Sequence, residues 1–307
     1  MTEQPPAWTA TGIFWKHNQP ALTAADPSGV ERPRPLPLAA PVGIEVCGPR
    51  RCVGIWRPEL GHRQPCPFAA PIAGQATSAQ CQPCSAADDG HQLARDQLAD
   101  DGRDYGLYLA WLGPNLPKVG LTAGSRGTDR LAEQGALAYT WLTTGSLPAI
   151  RAMEKAISAS GIAAERYHRR TKLTAWRRLT GTPQHRAELD AAHARIVATV
   201  PWPEDLVLQP CRPVDNSELF GLDRLPTGLV DEVTELQSGA RIAGTVRCLV
   251  GRELVLDTDD RPVVLDARLL GGWPIRRCDA TRTTGAALAC LDLSRSDDAD
   301  TDQTALF

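Results

Sequence analysis

Residues 105–122 have the sequence YGLYLAWLGPNLPKVGLT, and this stretch decides the fold of the middle third of the chain. Residues 105–112 are rich in aromatic and aliphatic side chains, as is typical of a β-strand. Gly113-Pro114-Asn115 is a turn signal, and residues 117–122 form a second run of strand length. The stretch therefore predicts two antiparallel strands joined by a tight turn, which is a β-hairpin.

Helical signals follow the hairpin directly. Thr128 can cap a helix that runs over residues 129–138. Pro148 suits the first turn of a second helix, whose apolar positions recur on one face until Gly161 ends it. Residues 184–200 have the pattern of a third helix. The middle of the chain is thus predicted to combine a hairpin with several helices.

The sequence pattern divides the chain into four regions and predicts an α+β fold class. Residues 1–100 are predicted to be β-rich and to carry a zinc-binding cysteine cluster. Residues 101–200 are predicted to form the α/β module of hairpin and helices. Residues 201–285 alternate apolar and polar side chains, which predicts a small β-rich domain, a meander or a barrel. Residues 286–307 are acidic and are expected to be disordered.

Composition excludes some classes of protein. No window of about 18 apolar residues occurs, which argues against a membrane span. The first ten residues lack the basic and apolar segments of a secretory signal, so we expect the protein to stay in the cytoplasm. Nine cysteines in a reducing compartment are better explained as metal ligands and free thiols than as disulfides.

The cysteines cluster before the hairpin. Cys81 and Cys84 form a CxxC pair, which lets one turn present two thiolates to a tetrahedral zinc ion. Cys66 and either Cys52 or Cys47 can complete the set, and we favour Cys52. The four residues would then resemble a zinc-ribbon or treble-clef site. Because four thiolates leave no open coordination position, such a zinc ion would be structural.

The middle of the chain is basic, although the whole chain carries a net charge of −3. Between residues 103 and 178, twelve Lys or Arg stand against five Asp or Glu, a local charge of +7. Basic side chains with interleaved aromatic rings suit phosphate contacts and base stacking, while a solvated helix face is the plain alternative. The candidate nucleic-acid-binding residues in this stretch are Arg169, Arg170, Lys172, Trp176 and Arg177.

The order of motifs in this region resembles the GIY-YIG nuclease family. Gly106-Leu107-Tyr108 matches the first tripeptide, and Lys118-Val119-Gly120 matches the second in its last two positions. Arg130 lies in the next predicted helix, and Glu154 lies in the one after it. In that family the hairpin carries the two tripeptides, and the two helices supply an Arg and a metal-binding Glu.

The resemblance implies a set of catalytic roles. Tyr108 would orient or deprotonate water, Arg130 would hold the phosphate, and Glu154 would bind a catalytic Mg²⁺ or Mn²⁺ ion. Lys118 stands where the family has its second tyrosine. A lysine cannot position the nucleophile as that tyrosine does, although it can contact a phosphate.

A longer resemblance covers residues 52–275. The cysteine cluster, Arg130-Leu131-Ala132-Glu133-Gln134-Gly135-Ala136, Trp176-Arg177 and Gly271-Gly272-Trp273 are similar to a bacterial and archaeal family of unknown function. That family carries a zinc cluster and a GIY-YIG-like domain. Gln134 is a candidate substrate contact, and a helix-ending amide is the alternative.

Together these features predict a zinc-binding, GIY-YIG-like protein that is a divalent-metal-dependent nuclease or phosphodiesterase acting on DNA or RNA. Two alternatives stay open. One is a nucleic-acid-binding protein without catalytic activity. The other is an enzyme that uses the same pocket for a small molecule.

Overall fold

The computed structural model describes residues 8–57, 60–100 and 102–294. Over these residues the chain is a mixed α+β protein rich in strands, so the predicted α+β class is confirmed. No helix within them is long and apolar enough to cross a membrane.

The helices and strands fall into three stretches of the chain. The first hundred residues contain β1 (Trp8–Lys16), β2 (Gln19–Ala25), β3 (Glu31–Pro35), β4 (Pro41–Val46), β5 (Ile55–Arg57), β6 (His62–Gln64), α1 (Gln82–Ala86) and α2 (Asp89–Ala94). The middle contains β7 (Asp104–Trp111), β8 (Pro117–Ala123), α3 (Asp129–Gln134), β9 (Ala138–Ser146), α4 (Leu147–Ala159), α5 (Arg169–Trp176) and α6 (Thr182–Thr199). The last part contains β10 (Val214–Asp215), α7 (Ser217–Phe220), β11 (Leu229–Glu235), β12 (Arg241–Val250), β13 (Glu253–Asp257), β14 (Val263–Asp266), β15 (Pro274–Arg277) and β16 (Ala287–Asp292).

A ten-stranded sheet joins the two ends of the described chain. Its order is β16-β11-β14-β13-β12-β4-β15-β1-β2-β3, and only the β11–β14 pair among these neighbours is parallel. Strand β4 lies between β12 and β15, and β15 also pairs with β1. Strands that the sequence assigned to separate N-terminal and C-terminal regions therefore share one hydrogen-bonded sheet.

The acidic tail begins later than the sequence predicted. Strand β16 pairs antiparallel with β11, and Leu291 of β16 is buried. The disorder predicted from residue 286 is therefore wrong for this strand, because the sheet holds its backbone in place. Residues 295–307, which hold most of the acidic run, lie outside the described residues.

The predicted hairpin is confirmed. Strands β7 and β8 pair antiparallel with Tyr108 opposite Gly120, inside a four-stranded sheet of order β10-β9-β7-β8. Strand β9 was not predicted, and helix α3 is four residues shorter than expected. Gly135 has φ 72° and ends the helix, and the Thr and aromatic residues that follow favour a strand. We refer to strands β7–β10 with helices α3–α6 as the module.

Helices cover both faces of the module sheet. Leu107 points to the face on which α4 and α6 pack, and the bounds of these two helices agree with the sequence. Tyr108 and Ala110 point to the opposite face, where they meet Leu131 of α3 and Ala175 of α5. The face that carries Tyr108 is therefore enclosed by the two short helices.

The module meets the ten-stranded sheet through two glycines. Gly135 ends α3, and Gly251 lies in the tight turn between β12 and β13. A Cβ atom on Gly251 would lie 2.7 Å from the Gly135 nitrogen and 3.0 Å from the Glu133 carbonyl oxygen. Trp15 of β1 also donates its indole N–H to the Gly251 carbonyl at 2.8 Å. We call this contact of α3 with the β12–β13 turn the junction.

A charged cluster ties α5 to the same turn. The guanidinium of Arg169 donates to both carboxylate oxygens of Glu253 at 2.7–2.9 Å, and it also pairs with Glu232 and Asp266. The Glu253 side chain is 5% exposed, so the pair is largely out of water. Loss of the arginine would leave a buried carboxylate without a partner, which is strongly destabilising.

The junction predicts a specific cost for Gly251→Ala. Both Gly251 and Gly161 have a left-handed backbone, with φ 64° and 71°, but nothing lies within 4 Å of a Cβ atom built on Gly161. We expect Gly161→Ala to lower the free energy of unfolding by about 1–2 kcal/mol from backbone strain alone. Gly251→Ala should cost about 1–3 kcal/mol more, because the methyl group meets backbone atoms of α3.

Urea unfolding followed by tryptophan fluorescence would measure both values. Equal losses in the two variants would contradict a tight contact at the junction.

Candidate functional site

The structure brings four cysteines together in the part of the chain between β4 and the end of α1. Their Sγ atoms all lie within 4.8 Å of one another, and those of Cys66 and Cys81 are 3.8 Å apart. Cys47 lies outside this group, with its Sγ 3.7 Å from the Glu45 carbonyl oxygen. The structure thus favours Cys52 over Cys47 as the first member. The cluster consists of Cys52, Cys66, Cys81 and Cys84.

Backbone groups surround the cysteine sulfurs. The Cys52 Sγ accepts from the backbone N–H of Gly54 at 3.4 Å and of Cys81 at 3.2 Å. Burial raises the pKa of Cys84, and the neighbouring thiols raise it further. Burial acts in the same direction on Cys66, but backbone N–H groups outweigh it and lower the pKa of that thiol to about 7. Four thiols this close together resist losing their protons unless a cation binds between them.

A four-thiolate site fits a metal such as zinc. Zinc prefers four tetrahedral ligands, and a set of four cysteines leaves no position for a reacting water. The cluster could therefore bind a metal with all four sulfurs, and such a site offers no place for substrate.

Arg50 attaches the cysteine loops to the sheet, a role that the sequence did not reveal. Its buried guanidinium donates to the carbonyls of Ala73, Ala76, Arg268 and Gly271 at 2.6–3.0 Å. Burial lowers its pKa to about 10. Because all its partners are backbone carbonyls far along the chain, no side-chain pattern could have identified it.

A second group of polar side chains surrounds Tyr108. The tyrosine is 1% exposed, and its hydroxyl oxygen lies 3.0 Å from the side-chain amide of Gln134. The Lys118 ammonium lies 5.4 Å from the centre of the Tyr108 ring, a distance typical of a cation–π contact. A Cβ atom on Gly120 would lie 2.5 Å from the Tyr108 Cζ and 2.7 Å from the Lys118 Nζ. A glycine is therefore needed opposite Tyr108 for both side chains to lie over the sheet.

Arg130 reaches Tyr108 through Gln134. With the amide of Gln134 oriented to satisfy both of its polar atoms, its oxygen accepts from the Arg130 Nε at 2.9 Å and its nitrogen donates to the Tyr108 hydroxyl at 3.0 Å. Arg130 also pairs with Glu133 at 3.4 Å, and its side chain is 29% exposed. The guanidinium thus stands between the buried phenol and solvent.

Glu154 lies on α4 beside the edge strand β8. Burial raises the pKa of its carboxyl group, while the charge of Lys118 and a hydrogen bond from the Leu121 backbone N–H lower it. Lys118 therefore lies over the Tyr108 ring and acts on Glu154 through its charge. Glu154 itself belongs to α4, which packs on the face of the sheet opposite Tyr108. We call Tyr108, Lys118, Arg130 and Gln134, together with Glu154 beyond the edge strand, the Tyr108 site.

An open hollow lies on the same side of the sheet. Its volume is about 270 Å³, and Gly106, Thr122 and Trp141 line part of it. Trp141 packs edge-on against Tyr108, with ring centres 6.2 Å apart. Solvent therefore reaches the sheet next to the phenol.

The structure gives most of the basic stretch an internal role. Trp176 is 4% exposed and donates its indole N–H to the Leu112 carbonyl at 3.1 Å, so its ring is closed to a nucleic-acid base. Arg169 is held by Glu253 in the charged cluster, and Arg177 donates to the Ser294 carbonyl at 2.9 Å. The predicted contacts of Trp176 and Arg169 with nucleic acid are wrong for this structure, because these side chains pack α5 onto the protein.

The other two candidates differ from each other. Arg170 is exposed. Lys172 is half-buried and donates to the Gln134 carbonyl oxygen at 3.3 Å. Lys172 thus approaches the Tyr108 site from behind α3.

Comparison with known proteins gives a family but no activity. No curated protein and no solved structure matches the chain. A family model described as "Protein of unknown function (DUF2797)" matches residues 41–275, which include the cysteine cluster and the Tyr108 site. The match covers more than two thirds of the sequence, and the chain belongs to the DUF2797 family.

Proposed function

We propose that the module cleaves phosphodiester bonds of DNA or RNA at the Tyr108 site with the help of a divalent metal ion. The observation that carries this proposal is that Gln134 contacts both Tyr108 and Arg130, which are far apart in sequence. Lys118 lies over the Tyr108 ring, and its charge acts on Glu154. Unrelated surface residues would not be expected to contact one another in this way. The similarity of the hairpin and its helices to the GIY-YIG pattern supports the same reaction.

The residues of the site have complementary chemistry. Phosphodiester hydrolysis needs an oriented water, a cation near the phosphoryl oxygens and assistance for the leaving oxygen. Tyr108 positions the attacking water through its hydroxyl, and the exposed part of Arg130 binds the phosphate. Gln134 fixes the orientation of both groups, because its amide contacts each of them. Lys118 adds a second positive charge beside the phenol.

Glu154 is the residue that would hold Mg²⁺ or Mn²⁺, and the bound ion would stabilise negative charge on the phosphate and the leaving oxygen. A single carboxylate suits a water-rich magnesium site. Burial raises the pKa of this carboxyl group, and a bound cation would favour its ionised form.

A specific observation favours a second candidate function, which is phosphate-backbone binding without cleavage. Lys118 replaces the second tyrosine of the GIY-YIG pattern, and the Tyr108 hydroxyl is already hydrogen-bonded to Gln134. Both features suit a site that holds a phosphodiester but does not activate water.

We also propose that the cysteine cluster binds one structural zinc ion. The four sulfurs within 4.8 Å of one another support this, because a tetrahedral zinc ion takes four ligands at such a spacing. The zinc ion would fold the cysteine loops and leave catalysis to the module.

Nuclease assays on single- and double-stranded DNA and RNA with Mg²⁺ or Mn²⁺ would test the proposed activity. We expect Tyr108→Phe, Arg130→Ala and Glu154→Gln each to lower the cleavage rate by about 100-fold or more, while zinc content stays the same. Tyr139→Phe is a matched control, because Tyr139 is also buried on this face but lies outside the Tyr108 site.

A similar loss in Tyr139→Phe would contradict the assigned role of Tyr108. Salt-sensitive binding without cleavage under either metal would favour the binding function. Failure to bind any nucleic acid would contradict both.

Metal analysis of the purified protein would test the zinc site. We expect about one zinc per chain in the natural sequence, as four thiolates hold one tetrahedral ion. Cys52→Ser should lose the metal and several kcal/mol of stability, since binding of a structural zinc ion contributes to folding. Cys47→Ser changes a thiol outside the cluster and should keep both the zinc ion and the stability of the natural protein. Zinc loss in that control would refute the proposed ligand set.

A further inference from the structure

Two positive side chains at the junction have no carboxylate partner. Lys172 donates to the Gln134 carbonyl oxygen, and Arg252 follows Gly251 in the β12–β13 turn. Both side chains are half-buried. Among the described residues, neither makes an ion pair with Asp or Glu. Side chains that lose part of their hydration normally gain such a partner.

The surrounding carboxylates are already engaged. Arg126 binds both oxygens of Glu133 at 2.6 Å, and Arg268 binds Asp266 at 2.5 Å. Arg169 binds Glu253 and also Glu232. Six cations at the junction therefore face four carboxylates, and two positive charges are left without compensation. The cations are Arg126, Arg130, Arg169, Lys172, Arg252 and Arg268, and the carboxylates are Glu133, Glu232, Glu253 and Asp266.

The pKa values of Lys172 and Arg252 reflect their burial and the charges around them. Burial lowers the pKa of Lys172, and the charges of Arg268 and Arg252 lower it further, although Glu253 opposes the shift. Burial also lowers the pKa of Arg252, and the charge of Arg130 adds to the effect, although Glu133 and Asp266 oppose it. These side chains lie close enough to repel one another. An anion between them would remove the repulsion.

The geometry around Gln134 defines where an anion would bind. The carbonyl of Gln134 contacts Lys172, its side chain contacts Arg130, and the next residue abuts the turn that carries Arg252. Solvent has access from the side of Arg130 and Arg268, whose side chains are 29% and 36% exposed. Lys172 and Arg130 thus both contact the last residue of α3, the turn that carries Arg252 abuts the next residue, and Arg130 is partly exposed to solvent.

We propose that the junction is a binding site for a phosphate group, which Lys172 and Arg252 hold from the protein side and Arg130 from the solvent side. A phosphate dianion balances the two uncompensated charges. Its oxygens also suit the planar fork of an arginine and the point charge of a lysine. The ligand is either free phosphate or the terminal phosphate of a nucleotide chain.

This site shares Arg130 and Gln134 with the Tyr108 site but does not depend on cleavage. Phosphate binding can be measured without a divalent cation. It can also be measured in Glu154→Gln, a substitution that is proposed to lower the cleavage rate and not the affinity for phosphate. Phosphate binding that survives in Glu154→Gln would support the junction site whether or not the module is a nuclease.

Calorimetric titration with inorganic phosphate, at ionic strength held constant with sodium chloride, provides the test. We expect the natural protein and Glu154→Gln to bind phosphate equally well. Lys172→Met and Arg252→Met should each bind about tenfold more weakly, as expected for the loss of one charge-assisted contact. Arg195→Met, which removes an exposed charge on α6, should bind as the natural protein does.

Thermal unfolding without phosphate separates this role from a purely structural one. If Lys172 serves only to hold α5 in place, Lys172→Met should lower the unfolding temperature. If the lysine is an uncompensated cation, Lys172→Met should unfold at the same or a higher temperature than the natural protein. Phosphate should then no longer raise the unfolding temperature of the variant. Should Lys172→Met fail to fold, Arg252→Lys would keep the charge, lose the fork and bind phosphate less tightly.

Two further results would decide the proposal and its ligand. The proposal is overturned if phosphate does not bind the natural protein, or if it binds Lys172→Met and Arg252→Met as well as it binds Arg195→Met. A 5′-phosphorylated dinucleotide that binds more tightly than its 5′-hydroxyl counterpart and than inorganic phosphate would assign the site to a nucleic-acid end. Equal binding of the phosphorylated dinucleotide and inorganic phosphate would assign it to the free ion.

Discussion

The contact between Gly135 and Gly251 is the constraint on which the arrangement of this protein depends. A Cβ atom at Gly251 would lie 2.7 Å from the backbone of Gly135, so only a glycine allows α3 to end against the β12–β13 turn. This approach places Gln134, Arg130 and Lys172 of the module beside the turn that carries Arg252. It also explains why the charged residues gather there, since Arg169 and Glu253 join α5 to the same turn.

The cysteine cluster and the Tyr108 site lie in different parts of the fold. The cysteine cluster and Arg50 hold the loops between β4 and α1 against the ten-stranded sheet, and a four-sulfur site leaves no position open for a substrate. The Tyr108 site lies on the module, where Gln134 connects the phenol to the guanidinium of Arg130 and Lys118 lies over the ring. Its dense packing keeps the polar groups in fixed positions, which a site must do if charge is to develop there during a reaction.

Local patterns predicted local structure well, and they failed where a distant partner decided the outcome. The hairpin and helices α4 and α6 were predicted because turn residues and apolar spacing are sufficient to specify them. Strand β9 was missed because its Thr and aromatic residues follow a helix signal, and only the pairing with β7 makes it a strand. Trp176 was expected at a surface because its neighbours are basic, yet its indole is buried by the turn that follows β7.

The sequence by itself determined the strands and helices with strong periodicity, the group of cysteines and the candidate residues around Tyr108. These properties follow from side-chain type and from spacing over a few residues. Only the tertiary structure decided that strands from both ends of the chain form one sheet and that α5 packs inward. It also decided that Lys172 and Arg252 lie at the same junction without an ion-pair partner among the described residues. Such contacts depend on burial and charge between residues tens to hundreds of positions apart, which no local pattern encodes.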